Sequence, residues 1–67
     1  MKTYYEIKCY ADEQCVLSYC FRGNLKEYTE TICNIQRKYD EHPNFDCAVV
    51  TVNADIEMDK YSFTIHF

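Results

Sequence analysis

The chain has few of the residues that build loops, and this scarcity excludes several kinds of protein. Its 67 residues include a single glycine, Gly23, and a single proline, Pro43. One glycine cannot supply the glycine-rich loops that cradle phosphate groups. So little glycine and proline also argues against a disordered or low-complexity segment. The sequence therefore predicts one domain, residues 1–67.

Basic residues are scarce relative to acidic ones. Seven lysines and arginines are set against eleven aspartates and glutamates, which gives a formal net charge of −4. Nucleic acids and anionic membranes are bound through clusters of Lys and Arg, so we expect no direct contact with either. Negative charge keeps a small protein in solution, and it also favours a protein partner with a basic surface.

Long apolar runs are missing as well. Residues 1–6 lack the run of about 7–15 apolar residues found in secretion signals. No stretch approaches the ~20 apolar residues that span a bilayer. The sequence therefore predicts a cytoplasmic protein, in which the five cysteines stay mostly reduced.

The cysteines do not have the spacing of a metal site. They are Cys9, Cys15, Cys20, Cys33 and Cys47, with five, four, twelve and thirteen residues between them. Structural zinc sites usually bring ligands in close pairs such as C-x2-C. We expect Cys9, Cys15 and Cys33 to act as small apolar residues within or next to buried faces. A Cys9–Cys15 disulfide and a metal or redox role are the alternatives.

Catalytic groups are equally sparse. Nucleophilic catalysis needs a base beside a nucleophile, an orienting third group and a pocket. Of the two histidines, His42 lies at the end of a predicted helix, where it suits the terminal carbonyls. His66 lies on the outer side of a predicted strand. We therefore predict no enzymatic activity, no catalytic residues, no cofactor and no bound metal.

What the sequence does contain is one amphipathic helix between two pairs of strands. Alternating side chains predict strands at residues 4–10, 15–22, 45–53 and 58–67. Between the pairs, apolar residues recur at the three- and four-residue spacing of a helix with one buried face. They are Leu25, Tyr28, Ile32, Ile35 and Tyr39. Asn24 is a good N-cap, with Glu27 three residues later, and the helix ends before Pro43.

This ββαββ order predicts an α+β fold with one helix packed across a four-stranded sheet. The first and last strands can then lie side by side and parallel in the centre. In that layout the chain resembles the β-grasp class, including the small immunoglobulin-binding domains of streptococcal surface proteins. The resemblance is one of element order and implies no function. Alternatively, the Val-rich segment 48–52 lies at an exposed edge and pairs with a second copy.

The first hairpin has two possible registers. A loop at residues 11–13 places Cys9 opposite Cys15, whereas a loop at residues 12–14 places Cys9 opposite Leu17. Both keep the odd-numbered apolar residues of the two strands on one face. The sequence does not decide between them.

The predicted site is a surface for binding a partner. Tyr4 and Tyr10 alternate with the apolar set, so we expect them on the side of the sheet away from the helix, where tyrosines favour interfaces. In the β-grasp arrangement, five carboxylates meet at one end of the molecule. They are Asp12, Glu13, Asp40, Glu41 and Asp46. Clustered carboxylates can mimic nucleic-acid phosphates and occupy a basic groove.

We therefore expect a small acidic protein-binding module that inhibits or modulates a nucleic-acid-handling protein stoichiometrically. In composition the chain resembles the small acidic proteins with which phages and mobile elements inhibit host defence nucleases. The alternative is a structural homodimer without ligand chemistry, because segment 48–52 is apolar on both faces.

Overall fold

The computed structural model describes residues 3–54 and 60–67. These ranges contain the strands β1 (Thr3–Ala11), β2 (Gln14–Gly23), β3 (Cys47–Ala54) and β4 (Lys60–His66), and the helix α1 (Leu25–Glu41) between β2 and β3. The predicted α+β class, with a helix on a four-stranded sheet, is confirmed. Phe45 and Asp46 precede β3 rather than belonging to it, and Met58 lies outside the described residues.

The order of strands in the sheet corrects the β-grasp prediction. The strands lie in the order β2-β1-β3-β4, and every neighbouring pair is antiparallel. The chain directions are those of a β-grasp sheet, but β3 lies beside β1 where β4 was expected. Antiparallel pairing is slightly more stable than parallel pairing, and the apolar β3 gains a neighbour on each side. The alternative with segment 48–52 at an exposed edge is wrong for the same reason.

The β1–β2 hairpin matches neither predicted register completely. Cys9 lies opposite Leu17, as the predicted loop at residues 12–14 requires. The register then shifts between Cys9 and Tyr10, because Val16 is an extra residue that forms a β-bulge in β2. Tyr10 therefore lies opposite Cys15, and the connecting turn is shorter than either predicted loop.

α1 begins and ends at the predicted signals. The backbone N–H of Glu27 donates to the Asn24 side-chain oxygen at 3.0 Å, so the N-cap is confirmed. At the other end His42, which precedes Pro43, is extended and donates its N–H to the Lys38 carbonyl at 2.8 Å. Within the described ranges, no helix has the length and apolar character needed to cross a membrane.

One face of α1 packs on the sheet, as the spacing of its apolar residues predicts. Ile35 is completely buried, and Tyr28, Ile32 and Tyr39 pack partly buried against the core. Leu25 of the same stripe is 70 % exposed, so this part of the prediction is wrong. Leu25 is the first helical residue, and helical side chains lean toward the N-terminus, which directs it past the packed part of the helix.

The core is the layer between α1 and the sheet. Its buried residues are Tyr5, Ile7, Cys9, Ile35, Phe45, Ala48, Val50 and Val52. Aromatic pairs reinforce both ends of this layer. The ring of Tyr28 stacks on Tyr5 with 5.0 Å between centroids, and Tyr39 stacks on Phe67 at 5.2 Å. Such pairs add about 0.5–1.5 kcal/mol beyond the burial itself.

The apolar side of β4 is only partly covered. Ile65 and the following Phe67 pack against the core, whereas Phe63 on the same side is 41 % exposed. α1 runs closer to β2 than to β4. The helix therefore covers the β2 side of the sheet more fully than the β4 side.

The cysteines correct another prediction. Cys9 is buried, but Cys15 and Cys33 are exposed. The bulge explains Cys15, because it pairs this residue with Tyr10 on the side of the sheet away from α1. Cys33 lies on α1 away from the apolar stripe. Cys9 is not opposite Cys15, and all five cysteines are free, so the disulfide alternative is wrong.

Candidate functional site

The side of the sheet away from α1 is not covered by any described part of the chain. We call this side the open face; every second residue of each strand contributes to it. Its side chains include Tyr4, Glu6, Lys8 and Tyr10 of β1, Ser18 and Cys20 of β2, Val49 and Thr51 of β3, and Thr64 and His66 of β4. None of these residues is buried. The tyrosines therefore lie on the side that the alternation predicts.

A shallow depression of about 540 Å³ lies at one end of the open face, where β1 ends and β3 begins. We call it the Tyr10 depression. It is lined by Tyr10, Asp12, Glu13, Asp46, Cys47, Val49 and Thr64. Three carboxylates thus border a surface that also offers an aromatic ring and an aliphatic side chain.

The β1–β2 turn places two of these carboxylates. Asp12 and Glu13 both have left-handed backbone conformations, with φ of 51° and 69°. Two-residue hairpin turns require this conformation and usually have Asn or Gly there. Aspartate tolerates it better than glutamate, so more of the strain falls on Glu13. Both residues are exposed at the tip of the hairpin.

Asp46 is placed by its own backbone. Its N–H donates to the carbonyl of Tyr10 at 2.9 Å, and its carbonyl accepts from the N–H of Phe67 at 3.0 Å. These bonds hold the start of β3 between the end of β1 and the end of β4. Asp46 is therefore held beside Tyr10, although the two residues are 36 positions apart in sequence.

The other two carboxylates of the predicted cluster lie in the helix layer. Asp40 and Glu41 belong to the last turn of α1, and Asp40 accepts a hydrogen bond from Gln36 Nε2 at 3.1 Å. Glu41 lines a separate groove of about 270 Å³ between α1 and β2, together with Val16 and Lys38. Three of the five predicted carboxylates therefore lie at the Tyr10 depression, and the other two lie at the end of α1, on the opposite side of the sheet.

Tyr4 lies at the opposite end of the open face. Tyr10 is six positions further along the strand, which is roughly 20 Å at 3.3 Å per residue. The guanidinium of Arg22 lies over the Tyr4 ring, 6.0 Å from its centroid, in a cation–π arrangement. A hydrogen bond with Cys20, together with the charge of that thiol when ionised, raises the pKa of the Tyr4 hydroxyl.

Cys47 and His66 lie opposite each other on the open face, and a cysteine–histidine pair is one that thiol enzymes use. Such a thiol is activated by a lowered pKa. Here burial, and then the hydrogen bond and charge of Asp46, raise the pKa of Cys47. A raised pKa is the opposite of the change that activates a nucleophilic thiol. Among residues 3–54 and 60–67, no three His, Cys, Asp or Glu side chains are grouped so as to hold a metal ion.

The Tyr10 depression has the chemistry to receive a lysine or arginine side chain. An aliphatic stem can pack on Val49 while the charged end reaches the carboxylates. The face of the Tyr10 ring also attracts a cation. The nearby Lys8 does not fill this role, because its ammonium lies 3.8 Å from the Glu6 carboxylate on the same strand.

Three lining residues of the depression were not predicted as part of the site. Cys47, Val49 and Thr64 belong to β3 and β4, which reach Tyr10 only through the observed strand order. The alternation of β4 marks Thr64 as a residue of the uncovered side, whereas segment 48–52 is apolar on both faces and does not distinguish Val49. No local signal shows which strand they lie beside.

Comparison of this chain with models of protein families, with curated proteins and with solved structures gives no match.

Proposed function

We propose that the protein is a non-enzymatic binding module whose open face docks on a protein partner with a basic surface. The observation that carries the proposal is the Tyr10 depression, which combines three carboxylates with an aromatic and an aliphatic side chain on an uncovered sheet face. Tyrosines and apolar side chains supply the energy of many interfaces. Charges at the rim of an interface raise the association rate and help to discriminate between partners.

The charge of the whole chain supports the same partner. With a net charge of −4, the protein attracts basic surfaces at long range. A lysine or arginine of the partner then enters the Tyr10 depression, with Tyr10 as the central anchor. Tyr4 is a second anchor at the far end of the open face. Asp40 and Glu41 add to the electrostatic attraction from the end of α1.

The partner class we propose is a nucleic-acid-handling protein. Its basic groove normally binds phosphates, and the carboxylates at Asp12, Glu13 and Asp46 can occupy the same positions. The protein then acts in the cytoplasm as a stoichiometric inhibitor or modulator, in the manner of phage or mobile-element proteins directed at host defence. This mode needs no cofactor, metal or catalytic residue.

Two matched charge variants test the site. Asp12→Asn with Asp46→Asn removes two negative charges from the Tyr10 depression, and Asp40→Asn with Glu41→Gln removes two from the end of α1. Both pairs are exposed, so both variants should fold. The measurement is the association rate, at several salt concentrations, with the partner that the wild-type protein captures from native lysate. The first variant should slow association severalfold and flatten its salt dependence, and the second should do so less.

The outcome decides between the two acidic groups. If the helix-end variant has the larger effect, the contact lies in the helix layer and the Tyr10 depression is the wrong site. If neither variant changes the association rate or its salt dependence, the partner does not recognise this acidic end and the charge-based proposal is wrong.

A further inference from the structure

The two tyrosines that β1 contributes to the open face have different charged neighbours. At Tyr4, the guanidinium of Arg22 lies over the ring, 6.0 Å from its centroid. Among the described residues, no Lys or Arg lies over the ring of Tyr10. That ring lines a depression bordered by three carboxylates. The chain therefore supplies its own cation to one tyrosine and surrounds the other with acidic groups.

We infer that the Tyr10 depression selects arginine over lysine, so that the partner side chain it receives is an arginine. This selectivity rests on the proposed function and names the residue type that the site recognises. Arginine and lysine have the same charge, so the net charge of −4 attracts both alike. The preference must therefore come from the shape and chemistry of the depression.

The carboxylates of the depression come from two segments of the chain. Asp12 and Glu13 belong to the β1–β2 turn, whereas Asp46 lies directly before β3. A guanidinium is planar and has five N–H donors along its edges. One of its faces can lie on the Tyr10 ring while its edges donate to carboxylates from both segments. An ammonium has no flat face to stack on a ring, so it cannot combine these contacts in the same way.

The remaining lining of the depression suits a weakly hydrated cation. Val49 is half-buried and offers aliphatic surface, and Thr64 adds a hydroxyl without charge. A guanidinium is more weakly hydrated than an ammonium, so it loses less when it leaves water for such a surface.

The position of Lys8 agrees with this preference. Lys8 lies midway between Glu6 and Tyr10 in β1, on the same face of the sheet. Its ammonium lies 3.8 Å from the Glu6 carboxylate, and Lys8 does not line the depression. A lysine that is tethered beside the three carboxylates therefore pairs with a single carboxylate elsewhere.

Hexa-arginine and hexa-lysine peptides test the inference without an identified partner, because they have equal charge and equal length. Fluorescence anisotropy of the labelled peptides with the purified full chain, at one ionic strength, gives both dissociation constants. We expect the arginine peptide to bind about threefold more tightly or better. In a nuclear magnetic resonance titration with the arginine peptide, the amides of Asp46 and Val49 should shift.

Two matched variants assign the preference to the ring. Tyr10→Leu keeps an apolar side chain but removes the ring from the depression, so the two peptides should bind with nearly equal affinity. Tyr4→Leu makes the same change at the other end of β1 and should leave the preference as it is in the wild-type protein.

A modified peptide supplies a measurement that does not depend on how the variants fold. Dimethylation of each guanidinium keeps its charge but blocks paired hydrogen bonds to carboxylates. The dimethylated arginine peptide should therefore bind the wild-type protein no more tightly than the lysine peptide does.

The possible results separate this selectivity from the proposed function. If both unmodified peptides bind the wild-type protein equally, the selectivity is wrong and the recognition of basic surfaces stands. A preference that persists in Tyr10→Leu, or a dimethylated peptide that binds as tightly as the unmodified one, also overturns the selectivity alone. If neither peptide binds, the selectivity and the proposed function are both wrong.

Discussion

The two faces of the sheet are made from the same strands but have different compositions and exposures. The face under α1 contains the fully buried Ile7, Cys9 and Val50, and aromatic rings stack against it at both ends. Among the described side chains of the open face none is buried, and charged residues lie beside the tyrosines. The comparison indicates that one face stabilises the fold, whereas the other face contributes little to the core.

The largest expected effect is a loss of unfolding free energy, which should differ between two neighbouring valines of β3. Val50 is completely buried beneath α1, whereas Val49 lines the Tyr10 depression on the open face. Val50→Ala should lower the free energy of unfolding by about 2 kcal/mol, because it removes buried methyl groups and leaves a cavity. Val49→Ala should cost clearly less. Urea denaturation of both variants measures the difference, and equal losses would show that the two faces do not differ as described.

A second prediction concerns the N-cap of the helix that covers one face. Asn24→Ala removes the 3.0 Å hydrogen bond to the Glu27 N–H. Loss of such a cap costs about 1 kcal/mol. Asn34→Ala is the control, because Asn34 is an exposed asparagine within the same helix. Thermal unfolding monitored by circular dichroism should show a lower midpoint for Asn24→Ala than for Asn34→Ala. The opposite order would contradict the role assigned to the cap.

A third prediction concerns strain at the hairpin tip beside the open face. Glu13→Gly should stabilise the protein by roughly 0.5–1 kcal/mol, since glycine adopts the left-handed conformation without penalty but is more flexible when unfolded. Glu13→Ala removes the carboxylate and keeps the strain, so it separates charge from conformation. If both variants have the same unfolding free energy, the φ of 69° at Glu13 carries no measurable cost.

The smallest effect is absent at neutral pH and appears only in alkali. Burial, followed by the nearby thiols of Cys15 and Cys47, raises the pKa of the Cys9 thiol from 9.0 to about 11. Between these values the unfolded chain has lost a proton that the native protein retains, so stability falls as the pH rises through this window. The loss of unfolding free energy between pH 8 and pH 10 should be larger in the wild-type protein than in Cys9→Ala. Equal losses would mean that Cys9 does not titrate differently on folding.

Local features of the sequence were sufficient to predict the elements but not their neighbours. Asn24, Glu27 and Pro43 act within one turn of the helix, so its ends could be read directly. The choice of β3 or β4 as the neighbour of β1 could not be read, because both arrangements have the same chain directions. The bulge at Val16 gave no signal either, since the alternation of β2 continues through it.

The same limit applies to the site. Tyr10, Asp12 and Glu13 are close in sequence, and their proximity follows from a tight hairpin. Asp46 joins them through the backbone bond to Tyr10, which depends on β3 lying beside β1. Asp40 and Glu41 were expected in the same cluster because they end the helix at this end of the molecule. They lie in the other layer, which the linear sequence does not distinguish.

Stability and partner affinity measured on the same variant test the roles of the two faces most directly. Tyr10→Thr keeps a residue suited to a strand but removes the ring from the Tyr10 depression; Tyr4→Thr does the same at the other end of β1. We predict that Tyr10→Thr weakens binding of the captured partner by on the order of tenfold or more, while its free energy of unfolding changes little. Unchanged affinity in Tyr10→Thr, or a loss of binding that merely follows a loss of stability, would contradict the division between a stabilising face and a binding face.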